Sequence, residues 1–61
     1  MNGYVQFETL EGAAVAINAD RVSYVRRYRG GDEASAVNFE KGNYLVVKGT
    51  LSEVTQKLVD A

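Results

Sequence analysis

From Tyr4 to Lys48 apolar side chains recur at close to every second position, and each run ends at a glycine-bearing or polar break; after Gly49 the period becomes helical. A period of two commits a segment to one buried and one exposed face, and a slip of one residue would turn every apolar group to water. The chain is therefore confined to short antiparallel strands joined by tight turns, with one helix at the end.

Val5, Phe7 and Thr9 alternate with Tyr4, Gln6 and Glu8, which reads as a half-buried strand. Glu11-Gly12 turns the chain, and residues 13–19 return with Val15 and Ile17 inward, so 4–19 is a hairpin whose Gly12 supplies a positive φ. Asn18-Ala19-Asp20 is a polar break. In the following Arg21–Tyr28 run, Val22 and Val25 fit a short helix capped by Asn18 or Asp20, but two valines, a serine and two tyrosines favour a strand. Alternation there would place Val22, Tyr24, Arg26 and Tyr28 on one face and Arg27 on the other.

Arg29-Gly30-Gly31-Asp32-Glu33 has the composition of an exposed, mobile loop. A second hairpin follows over 35–48, with Val37 and Phe39 inward and a turn at Lys41-Gly42-Asn43. Its second arm, Tyr44-Leu45-Val46-Val47-Lys48, leaves neither face plainly polar, which predicts a strand covered on both sides. Thr50 and Glu53 form a capping box, and Leu51, Val54 and Leu58 follow at helical spacing with Val59 beside them. Ser52, Glu53, Gln56, Lys57 and Asp60 face water, so a helix over about 51–60 lies across one face of the sheet. The expected fold is α+β: one domain over 1–61, with a four- or five-stranded antiparallel sheet and this C-terminal helix.

A chain of this mass exposes about 9,700 Å² unfolded and about 3,900 Å² folded. Burying the apolar share of the difference is worth about 85–90 kcal/mol, against about 90 kcal/mol for ordering the chain. With 0 Cys no disulfide closes that gap, so self-association is the expected support. No apolar run reaches membrane-spanning length and Met1-Asn2-Gly3-Tyr4 does not open a signal peptide. The expected location is the cytoplasm.

The 0 His and 0 Cys remove the imidazole–nucleophile pairs and the thiolate and imidazole metal ligands. Among the carboxylates only Asp32 and Glu33 are adjacent, in the glycine-rich loop, and Gly30-Gly31 lacks the pattern of a phosphate-binding loop. No catalytic, cofactor-binding or metal-ligating residue is expected, no cofactor is implied, and the chain does not read as an enzyme. Four tyrosines without a tryptophan suit a surface that is wet alone and buried in a complex. Tyr24, Tyr28, Tyr44, Leu45 and Val47 are the candidate self-association surface. Arg21, Tyr24, Arg26, Arg27, Tyr28 and Arg29 are candidate contacts to a single-stranded nucleic acid, through stacking beside guanidinium groups. A net charge of −1 supplies no global attraction to a polyanion.

Gly12, Val15, Asn18, Asp20, Val22, Gly42, Tyr44, Val46, Glu53, Val54 and Leu58 together resemble the pattern of the small FlbD-type proteins associated with bacterial flagella. Ala19 stands where that pattern commonly has proline, and the loop from Arg29 to Ala34 is longer. The resemblance implies strands followed by a short helix, and a link to motility. Asp20–Val25, Gly42–Val46 and Gly49–Leu51 with Leu58 are also similar to the middle of a LytTR DNA-binding domain. That similarity stops before the family's Arg- and His-rich segment and implies no DNA-contact residue here. No motif names a substrate or partner; the residues imply a non-catalytic, bacterial-type, homo-oligomeric interaction or adaptor protein, dimer or larger, with an unidentified protein partner. The alternative is a small nucleic-acid-binding accessory protein.

Overall fold

The structure is a computed structural model describing residues 3–61; Met1 and Asn2, where the absence of a signal-peptide start was read, lie outside the described residues. Five strands precede one helix: β1 (Tyr4–Glu8), β2 (Ala14–Asn18), β3 (Val22–Arg27), β4 (Ala34–Phe39), β5 (Tyr44–Lys48) and α1 (Leu51–Val59). The strands form two antiparallel sheets, β1-β2 and β3-β4-β5, where a single sheet was expected. One backbone bridge, Thr9 to Val47, joins them. The reason lies in Thr9: its amide donates to the Ala13 carbonyl at 2.8 Å and its hydroxyl accepts the Ala13 amide, so the chain turns back before a longer ladder with β5 can form.

Both hairpins fall where the alternation places them. Val5 faces Ile17 and Phe7 faces Val15 across β1-β2, while Val37 faces Val25 on one side and Leu45 on the other. Phe7, Ile17, Val37, Val47 and Val54 form the buried core, with Leu45, Leu58 and Phe39 packed against it. The two turns of the second sheet place a cation and then a glycine at positive φ: Arg29 (56°) with Gly30 (72°), and Lys41 (66°) with Gly42 (80°). Two successive left-handed residues match the twist of a tight hairpin.

Three side chains sit differently from the expectation. Val22 packs against the core instead of sharing a face with Tyr24, because Ser23 is an extra residue in the ladder between Val22↔Phe39 and Tyr24↔Asn38. A β-bulge of this kind resets the alternation and brings Val22 and Val25 to the same side. Val47 is fully buried in the chain's own core, so β5 is not open to a partner at that residue. Val59, grouped with the apolar stripe of α1, is 71% exposed, because it lies beyond the arc that Leu51, Val54 and Leu58 turn inward.

The capping box forms as the sequence requires: Thr50 Oγ1 accepts the Glu53 amide at 3.1 Å and Glu53 Oε1 accepts the Thr50 amide at 3.0 Å. Gly49 joins β5 to this cap at φ +124°, where a Cβ would lie 3.3 Å from Val54 Cγ2. Its carbonyl accepts the hydroxyl of the fully buried Ser35 at 3.0 Å and its amide donates to the Glu33 carbonyl at 2.9 Å. These bonds tie the start of α1 to the central strand.

Candidate binding face

Because directly opposed residues of an antiparallel ladder share a face, the register sorts every side chain of the three-stranded sheet. Val25-Val37-Leu45 and Arg27-Ser35-Val47 form cross-strand rows on the core side. Tyr24-Asn38-Tyr44 and Arg26-Ala36-Val46 form rows on the other side, which no described element covers.

On that uncovered side the central strand carries only small groups. Ala34, Ala36 and Asn38 are 8%, 5% and 8% exposed. The larger side chains on either flank shelter them, and Tyr24 and Tyr44 remain 54% and 58% exposed. The result is a shallow trough with aromatic walls. Asn38 Nδ2 donates to the Ala36 carbonyl at 3.1 Å, holding its amide flat along the floor. At one end Arg26, Arg27, Tyr28 and Arg29, with Ala36, Asn38 and Tyr44, line a concavity of about 460 Å³. The Arg29 guanidinium lies 5.3 Å from the centroid of the Tyr28 ring, a cation–π contact that holds a positive charge beside the opening.

The sequence-derived candidates divide accordingly. Tyr24, Arg26, Tyr28, Arg29 and Tyr44 gather on or beside this face. Arg27 belongs by register to the core-side row, yet at the end of β3 it also lines the concavity with Arg26 and Arg29, and its Nε lies 3.8 Å from Asp32 Oδ1 in an exposed ion pair of little energetic weight. Arg21 lines a separate depression with Tyr4, Phe39 and Lys41. Val47 is buried and Leu45 is half-buried against the core, so neither belongs to the aromatic surface. Asn38 and Ala36, the floor of the trough, were not singled out from sequence. Their signal was present in the alternation opposite Val37, but small residues on an exposed face attract no notice until their neighbours are known.

Among the described residues no three or more carboxylates converge on a point that could hold a metal ion. No helix among them is long and apolar enough to cross a membrane. What this face can do chemically is bind: flat rings, a guanidinium in the row beside them, and a narrow floor of small apolar groups and one amide. No family model, no curated protein and no solved structure matches the chain.

Proposed function

We propose that the chain is a non-catalytic interaction module that acts as a homo-oligomer, with the aromatic face of β3-β4-β5 as its contact surface. The observation that carries this reading is the trough itself, a sheet face left open opposite the helix and walled by Tyr24 and Tyr44. Light scattering coupled to size exclusion, across a hundredfold dilution, tests it. An assembly that dissociates on dilution, and is weakened by Tyr24→Asp with Tyr44→Asp, is the expected result. A single 6.7 kDa species at every concentration overturns the homo-oligomeric reading.

A second reading is favoured by one observation, the presence of Arg26 in the row beside Tyr24 and Tyr44. Rings beside a guanidinium stack unpaired bases with little regard to sequence. Under this reading a labelled single-stranded oligonucleotide binds at micromolar or tighter affinity, weakens steeply with salt, and is lost in the Arg26→Ala, Arg29→Ala double variant. Affinity unchanged in that variant rejects it.

A further inference from the structure

Four strands end the two sheets: β1 and β5 approach each other at the Thr9–Val47 bridge, while among the described residues the outer edges of β2 and β3 pair with no further strand, and these two edges are not alike. β3 pairs only with β4, and β2 pairs only with β1. The β3 edge is interrupted by the bulge at Ser23 and carries Arg26 and Arg27, two devices that discourage pairing with another chain. β2 has neither. Its sequence is Ala-Val-Ala-Ile-Asn, without charge, proline or bulge, and its register with β1 is unbroken over five pairs.

The backbone groups that face away from β1 can be identified. Thr9 donates to the Ala13 carbonyl and Ala19 donates to the Gly3 carbonyl, so residues 13 and 19 point toward β1. Hydrogen-bonding direction alternates along a strand, which turns Val15 and Ile17 the same way and Ala14, Ala16 and Asn18 outward. Exposed, aligned and unblunted groups of this kind are a template for another strand.

The geometry points to antiparallel pairing of β2 with β2 of a second copy about a two-fold axis at Ala16. In that register Ala16 faces Ala16 of the second copy, and Ala14 faces Asn18 of the second copy at both ends. Every outward-facing residue then meets another outward-facing residue, so the edge is complementary to itself. No charge occurs in residues 13–19, and no like charges are opposed within the strand. Val15, half-buried in one chain, would lie opposite Ile17 of the second copy on the core side, extending the apolar face across the junction. This contact is independent of the aromatic face and leaves Tyr24 and Tyr44 accessible.

Two measurements test it. In the wild-type protein, amide hydrogen exchange at Ala14, Ala16 and Asn18 slows as protein concentration rises, while the Ala19 amide, already bonded to Gly3, does not respond. By light scattering Ala16→Lys, which opposes two lysines on the axis, lowers the assembly mass by removing the β2 contact alone, with an unchanged circular dichroism spectrum, and its combination with Tyr24→Asp and Tyr44→Asp falls to the 6.7 kDa chain mass. Ala14→Lys, facing a neutral Asn18, has a smaller effect. An Ala16→Lys variant that assembles like wild type, or outward amides indifferent to concentration, overturns the edge contact. If assembly survives Ala16→Lys and is lost in Tyr24→Asp with Tyr44→Asp, the edge contact falls and the proposed function stands. If the wild type is monomeric throughout, both fall.

Discussion

The Lys57 ammonium stands 4.7 Å from the centroid of the Phe7 ring and donates a 2.8 Å hydrogen bond to the Gln6 carbonyl. The last turn of the helix is thereby fastened to the first strand across 51 residues of sequence. Lys57→Met keeps the aliphatic stem and removes both contacts, and we expect it to cost about 1 kcal/mol in urea denaturation.

Val47 has no exposed surface and contributes to the core alongside Val37 and Val54. Val47→Ala is expected to lower stability by about 2 kcal/mol through lost burial and a residual cavity. Val47→Glu places an unpaired carboxylate in that core and is expected to unfold the chain rather than separate subunits. Loss of the circular dichroism signal in Val47→Glu, at concentrations where Tyr44→Asp stays folded, is the check.

Gly49 occupies a backbone conformation that side chains avoid, with Val54 close to the space a Cβ would need. Gly49→Ala is expected to cost about 1–3 kcal/mol, seen as a lowered thermal midpoint.

Lys41 adopts φ 66° before Gly42 in the β4–β5 turn. Asparagine tolerates this conformation better, and Asn-Gly is the preferred pair for the turn. Lys41→Asn should therefore stabilise the protein by about 0.5–1 kcal/mol, raising the denaturant midpoint without changing the slope.

Both hairpins, the turn at Gly12 and the capped helix were legible because each rests on a local pattern: alternation, a left-handed turn position, or a Thr-x-x-Glu box. What escaped depended on pairing. Ser23 looks like any strand residue, yet as the extra member of the ladder it decides where Val22 points. Four apolar residues in a row hide which two face the core, so the register with Ser35 and Thr9 is needed to place Val47 inside. Arg26 and Arg27 start on opposite faces of the pleat, yet both reach the concavity beside Arg29, and it is Arg21 that the fold sets apart. The unprotected edge of β2 becomes visible only once β1 is known to be its single neighbour.

Among the described residues the two sheets share a single backbone bridge, Thr9 to Val47, which has a consequence for how the molecule fluctuates. Hairpin β1-β2 is held to the rest mainly by side chains, Phe7 and Ile17 against the core and Lys57 over Phe7. Detaching it breaks few inter-sheet backbone bonds, so it forms an opening unit of its own, with a lower free energy of exposure than β3-β4-β5. Denaturant-dependent exchange would then resolve two steps in a chain of only 61 residues. The piece that lets go first is the one carrying the bare edge, so any contact made along β2 would also tie down the least anchored part of the fold.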